Sequence, residues 1–186
     1  IRVVITMPRN YLEQDFEEHI EEYLLHSGYH KGRSEDYDKD LCLIPAEVIQ
    51  FIQSTQPDEY AKLKQQYGAD TAQKFCVRLA REISQKGTLH VLRKGIKDRG
   101  AKFRLAYYQP RSGMNPEHQR LYRLNRFVVV RQLKYSKKNE NSIDMVLFLN
   151  GIPIITAELK NSLTGQTVEN AIRQYKKDRD PKEPLL

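Results

Sequence analysis

Apolar side chains in the first half of the chain recur at helical spacing. Leu12, Phe16, Ile20, Tyr23 and Leu24 fall three or four residues apart, which predicts an amphipathic helix over residues 12–26 that Gly28 ends. Glu13 and Glu17 stand one turn apart on the border of its apolar face, and residues 31–40 read as a polar loop. Pro45 starts a second helix with Val48, Ile49, Phe51 and Ile52 as its apolar positions, and Pro57 opens a third that ends near Gly68. A fourth runs from Asp70, its N-cap, through Ala72, Phe75, Cys76, Leu79 and Ile83 to Gly87. Residues 45–86 therefore read as a helical insertion in a single domain covering residues 1–186.

Beyond Gly87 the period changes to that of strands. Residues 88–92 (Thr-Leu-His-Val-Leu) and 102–108 (Lys-Phe-Arg-Leu-Ala-Tyr-Tyr) predict two strands, joined through a turn near Asp98, Arg99 and Gly100. A polar loop containing Pro110, Gly113, Pro116 and His118 follows, and the β-branched run 127–133 predicts a third strand. Residues 144–149 and 154–160 predict two more around Asn150-Gly151, the strongest short hairpin signal, because both central residues of a type I′ turn need positive φ. Residues 167–177 close the readable part as a helix with Val168, Ala171, Ile172 and Tyr175 on one face. Helices flanking a run of strands predict an α/β or α+β domain.

Charge sharpens this picture. The 186 residues carry 31 Lys and Arg against 24 Asp and Glu, but the excess is local. Residues 1–77 hold 8 basic and 14 acidic side chains, residues 78–138 hold 17 and 3, and residues 139–186 hold 6 and 7. The middle block is interleaved with Tyr107, Tyr108, Tyr122, Phe127 and Tyr135, a pattern suited to a polyanion, with Arg126, Arg131, Lys134 and Lys137 as candidate DNA contacts. The longest apolar runs are five residues or fewer, far short of the roughly 20 that span a bilayer, so a membrane helix is excluded. Cys42 and Cys76 are too few for a disulfide framework, no Cys/His cluster has zinc spacing, and Cys76 is expected as a small buried residue. A cytoplasmic location fits this cysteine usage and the lack of a signal-peptide pattern. The Ile1 start and the featureless tail 181–186 lead us to expect a fragment of a longer polypeptide.

The hairpin carries the chemistry. Glu158 and Lys160 lie two apart on the returning strand and so share a face, and an antiparallel return about Asn150-Gly151 brings Asp144 beside them. Two carboxylates and an ammonium converge at the end of apolar strands. Adjacent carboxylates repel unless a hard cation lies between them, and Mg²⁺ accepts one or two carboxylates together with phosphate oxygens and water. Such a cation activates water and stabilises charge on a phosphoryl group, while a nearby Lys orients the water or offsets the developing charge. A phosphodiester substrate would account for both this trio and the basic block.

The residues Ile143-Asp144 through Ala157-Glu158-Leu159-Lys160-Asn161 resemble the Asp…Glu-x-Lys signature of the PD-(D/E)xK nucleases. The longer stretch 144–161, the following residues 168–181 and the opening helix from Leu12 to Gly28-Tyr29 are similar to the N-terminal nuclease domain of the restriction (motor) subunit of type I restriction enzymes. The resemblance implies a restriction-endonuclease-like core, with a mixed central sheet flanked by helices. It implies that Asp144 and Glu158 hold Mg²⁺ (or Mn²⁺), with the Leu159 carbonyl as a further ligand and Lys160 as the catalytic lysine. Glu17 or Glu13 would supply the first-helix acid, and Tyr175 would match the tyrosine of a Gln-x-x-x-Tyr motif. Ile143 stands where the superfamily has Pro, and Ala171 stands where that motif has Gln, with Gln174 beside the Tyr instead. The implied partners are double-stranded DNA and the methylation and specificity subunits. ATP would belong to a downstream motor, because no Gly-x-x-x-x-Gly-Lys-Ser/Thr loop is present here. The competing expectation is a catalytically inactive nuclease-like module that binds DNA or docks subunits.

Overall fold

A computed structural model describes residues 2–6, 13–160, 168–173, 183 and 185, with only the backbone described at several positions near the termini and at Lys160. The chain divides into two compact units. The first comprises residues 1–35, 127–148 and 153–186, and the second residues 36–126 and 149–152.

The first unit carries a five-stranded sheet. Its strands are β1 (Arg2–Thr6), β2 (His30–Lys31), β5 (Phe127–Lys134), β6 (Ser142–Leu149) and β7 (Ile152–Lys160), in the order β1-β7-β6-β5-β2. Leu149 and Ile152, which end β6 and begin β7, cluster with the second unit. β1 runs parallel to β7, with Val4 opposite Glu158 and Thr6 opposite Lys160, and β2 runs parallel to β5. The two-residue connection between β6 and β7 can only join antiparallel strands, so the sheet is mixed. Asn150 (φ 51) and Gly151 (φ 79) both take the left-handed conformation that the Asn-Gly turn predicts. Helix α1 (Glu13–His26) lies over the sheet, with Ile20, Leu24, Leu25 and Tyr29 packed on the buried side chains of Val129, Met145 and Ala157. The helix ends at left-handed Gly28, where Tyr29 N–H donates to the Leu24 carbonyl at 3.0 Å. Flanking α7 (Val168–Arg173) is the described part of the closing helix, and Ile172, expected on its apolar face, is exposed.

The second unit is mainly helical, as the period of residues 45–86 predicts, and it extends beyond that segment. Helices α2 (Pro45–Thr55), α3 (Pro57–Tyr67) and α4 (Thr71–Lys86) pack with the hairpin of β3 (Ile96–Asp98) and β4 (Ala101–Phe103) around Phe75 and Phe103, whose rings meet edge-on at 4.8 Å. Cys76 is buried there, and burial pushes its thiol up to about 12. Asp70 makes no side-chain cap on α4 and belongs to a single 3-10 turn.

Three expectations are corrected. Residues 88–92 form a helix, α5 (Thr88–Lys94), instead of a strand. Left-handed Gly87 stops α4 and the chain restarts helically; the adjacent Val91 and Leu92 are both buried, whereas Leu89 is 59% exposed. The strand expected over 102–108 stops at Phe103, because the Gln56 carboxamide takes both backbone groups of Arg104. Gln56 Oε1 accepts the Arg104 N–H at 2.7 Å and Nε2 donates to its carbonyl at 2.9 Å. His118 lies in a helix, α6 (Pro116–Arg123), not in a loop; Pro116 takes the first turn and the Asn115 side chain caps it by accepting the His118 N–H at 3.1 Å. Only Leu121 of α6 is buried, so no apolar period announced it. Strands β1 and β2 also went unread from the sequence.

Gly151 is irreplaceable on steric grounds. A Cβ there would lie 2.6 Å from the Ile44 carbonyl oxygen and 2.8 Å from the Val48 nitrogen, both backbone atoms, whereas one at equally left-handed Gly28 meets nothing within 4 Å. Gly28→Ala should therefore cost about 1 kcal/mol from its φ alone, and Gly151→Ala about 3 kcal/mol or more. Urea unfolding of the two variants checks this, and equal losses would show that the second unit relaxes around the added methyl.

Candidate active site

β6 and β7 meet at their ends through Asp144. Its Oδ2 accepts the backbone N–H of Leu159 at 2.6 Å, a short, charge-assisted bond that fixes the carboxylate against the backbone between Glu158 and Lys160. Glu158, one residue earlier on β7, is 1% exposed. An acid this deeply buried on a strand is costly unless something answers its charge. Among the described residues, Asp144 Oδ1 has a long contact, 3.4 Å from Gln132 Nε2, and is the less engaged of its two oxygens.

Helix α1 brings a second acidic face to the same unit. Glu17 is 2% exposed and Glu21, one turn on, is also buried, while Tyr23, expected on the apolar face, is 71% exposed. The helix is thus rotated so that its glutamates, and not that tyrosine, face inward. Glu17 Oε1 accepts from Gln132 Nε2 at 2.7 Å, and its Oε2 lies 3.4 Å from Arg131 Nε. Glu21 Oε2 pairs with Lys31 Nζ at 2.7 Å and with Arg131 Nη1 at 3.4 Å. Burial raises the proton affinity of Glu17 above the ordinary carboxylate range, and the nearby Asp144 charge raises it further; the Gln132 hydrogen bond and Arg131 act the other way.

Gln132 joins these groups. It sits in β5 at φ 47, a left-handed conformation that costs a non-glycine residue free energy and is concentrated at functional sites. From there its amide nitrogen reaches both Glu17 and Asp144, and its carbonyl oxygen accepts from Ser142 Oγ at 2.7 Å. The left-handed φ interrupts the regular alternation of the strand at the residue that reaches the acids.

The model for the family described as type I restriction enzyme R protein N terminus matches residues 10–186. The chain belongs to that family. No curated protein and no solved structure matches it. Within the R-protein frame, the sequence-predicted residues fall as follows. Asp144, Glu158, Leu159 and Glu17 all lie in the first unit, with Asp144 on the Leu159 N–H and Glu17 linked to Asp144 through Gln132. The Lys160 backbone ends β7 opposite Thr6, but its side chain, that of Glu13, and Tyr175 and Gln174 lie outside the described residues. Among the predicted DNA contacts, Arg131 is engaged with Glu17 and Glu21, Arg126 pairs with Glu47 at 2.6 Å in the second unit, and Lys134 pairs with Glu140 at 2.7 Å. Lys137 is exposed.

Among the described residues, no three His, Cys, Asp or Glu side chains are grouped closely enough to hold a metal alone. The candidate donors, the Asp144 and Glu158 carboxylates and the Leu159 carbonyl, are hard oxygens. They suit Mg²⁺ or Mn²⁺, which keep several waters and need only one or two carboxylates, and they do not suit zinc. No described helix is long and apolar enough to cross a membrane. Sequence reasoning missed Gln132 and Glu21. Glu21 had a signal, its spacing of four from Glu17 beside Ile20 and Leu24; Gln132 had none, because nothing in Val-Val-Val-Arg-Gln-Leu marks a left-handed residue.

The raised proton affinity of Glu17 fixes a sign. Its contribution to stability is fully present below the ordinary value of 4.5 and is lost as the pH rises through the elevated folded-state value. Glu17→Gln mimics the neutral form, so the variant should melt higher than the wild type at about pH 8, with the gap closing toward about pH 4. A variant that melts lower at the higher pH would show that Arg131 and Gln132 outweigh the burial.

Proposed function

We propose that this R-protein domain is a metal-dependent DNA endonuclease that hydrolyses phosphodiester bonds with activated water. The observation that supports it most is the Asp144 carboxylate held on the Leu159 N–H beside buried Glu158, in a unit where Glu17 is linked to the same aspartate by Gln132. Purely structural acids at strand ends are normally solvated; here Glu158 is buried, and the strained Gln132 reaches Asp144 and the buried Glu17.

Asp144 and Glu158 would hold Mg²⁺ or Mn²⁺, with the Leu159 carbonyl as a third oxygen donor. A bound cation supplies Lewis acidity toward water and the scissile phosphate. The chain's own groups set the stage for it. The Leu159 N–H fixes one Asp144 oxygen and leaves the other available. Gln132 holds Glu17 and Asp144 in one arrangement, and Glu17, with its raised proton affinity, is suited to taking a proton from an attacking water. Lys160 would stabilise charge on the phosphate, and Tyr175 would bind nearby. Sequence choice would rest with the specificity subunit, translocation with an ATP-driven motor and modification with the methylation subunit, so this domain would meet double-stranded DNA mainly through backbone phosphates.

The test is nicking of supercoiled plasmid by the purified protein in Mg²⁺, Mn²⁺ or EDTA. Cutting should require the metal and fall at least about 100-fold in Asp144→Asn and in Glu158→Ala. Gln132→Ala should lose roughly 10- to 100-fold, the range of groups that orient metal ligands. Metal-dependent cutting that survives Glu158→Ala would overturn the site.

A further inference from the structure

A second constellation, in the helical unit, uses none of these acids. Tyr67 closes α3, and two cations lie over its ring: the Arg99 guanidinium 4.7 Å from the ring centre and the Lys74 ammonium 5.4 Å from it. The ring is fixed through its hydroxyl, which donates to the carboxylate of buried Asp98 at 3.1 Å. Arg99 is fixed too. It holds a left-handed φ of 44 in the turn between β3 and β4, and its carbonyl accepts from Gln66 Nε2 at 3.0 Å. With Arg78, Arg81 and exposed Val77, these side chains line a cavity of about 580 Å³.

The charges in it are only partly answered. Lys74 pairs with Asp70 at 3.1 Å, and Arg78 pairs with Glu82, which Lys86 also contacts. Arg81 and Arg99 have no carboxylate partner among the described residues. Two of the four cations are thus paired, and the unanswered charge is that of Arg81 and Arg99; the ring quadrupole offsets part of their repulsion, and an anion bound between the two guanidinium groups would offset the rest. Arg forks match phosphate oxygens in pairs, which favours a phosphate over a halide or a lone carboxylate. The cavity exceeds what a bare phosphate fills, and Val77 offers an apolar wall for a sugar.

We infer that this cavity is an anion subsite for a backbone phosphate of DNA, with Arg81 and Arg99 as its principal ligands. The inference rests on the DNA-cutting reading for its choice of ligand, and it places the start of the basic block, Arg78 and Arg81, in a binding role separate from the hairpin acids.

The experiment is fluorescence anisotropy of a labelled duplex of about 25 base pairs with the whole protein in EDTA, so that cutting does not interfere. Arg81→Glu, on an exposed helix surface, should weaken binding about five- to tenfold at about 0.1 M salt and reduce the salt slope by about one. Arg99→Gln should weaken it in the same direction, while Arg111→Glu, an equal charge change on an exposed loop outside the cavity, should stay within about twofold. Thermal melts confirm folding of each variant. Wild-type affinity in Arg81→Glu and Arg99→Gln would overturn the subsite, as would an Arg111→Glu loss as large as theirs, which would mean a diffuse field. Binding of free dAMP that depends on Arg81, with duplex affinity unchanged by the variant, would make it a nucleotide site and overturn the DNA assignment. A wild type that fails to bind the duplex would bring down the DNA-cutting reading itself. Indifferent cavity variants of a wild type that binds would leave that reading standing.

Discussion

The Asp144 carboxylate takes the backbone N–H of Leu159 at 2.6 Å, and the chemistry proposed for this domain depends on that one bond. It sets the aspartate against the segment that carries Glu158 and Lys160. The bond requires that β6 and β7 return on each other in a fixed register, which the two left-handed residues Asn150 and Gly151 impose. The turn is itself held. Asn150 Oδ1 accepts the Arg126 N–H at 2.7 Å, and Nδ2 donates to the Leu105 carbonyl at 2.9 Å and to Asn125 Oδ1 at 3.1 Å, so the asparagine is saturated as well as buried. A residue chosen for its backbone conformation thereby also anchors its end of the hairpin.

Charge balance is the second constraint. Placing Glu17, Glu21 and Glu158 out of water in one unit would be prohibitive without compensation. Arg131 answers two of them at 3.4 Å each, Lys31 answers Glu21 more closely, and Gln132 lends Glu17 a neutral donor. The balance is incomplete at Glu17, where burial and the Asp144 charge still hold the carboxyl's proton affinity high. The basic block is therefore not uniform: Arg131 neutralises acids inside the first unit, while Arg81 and Arg99 in the second have no carboxylate partner among the described residues.

How much of this could be read from the sequence follows from where each signal resides. The hairpin was legible because Asn-Gly is a local conformational code and because five consecutive apolar residues before it name a buried strand. The helices over 45–86 were legible because their apolar spacing is long and their starts carry Pro45 and Pro57. Residues 88–92 misled because Leu89 and Val91 alternate like a strand, while the deciding fact, that Val91 and Leu92 are buried together, is tertiary. The end of β4 was illegible because it is set by Gln56, 48 residues away. In the candidate site, Asp144, Glu158 and Glu17 could be proposed from spacing and resemblance. Gln132 was not, since its φ and all its partners arise only after α1, β5 and β6 have come together.

Metal binding tests the central claim most directly, independently of whether cutting needs other subunits. Titration of the protein with Mn²⁺, followed by the loss of the free-ion electron paramagnetic resonance signal, should reveal bound Mn²⁺ that disappears in the Asp144→Asn, Glu158→Gln double variant while the fold, judged by its melting curve, persists. Unchanged binding in a folded double variant, or no binding by the wild type, would contradict the account.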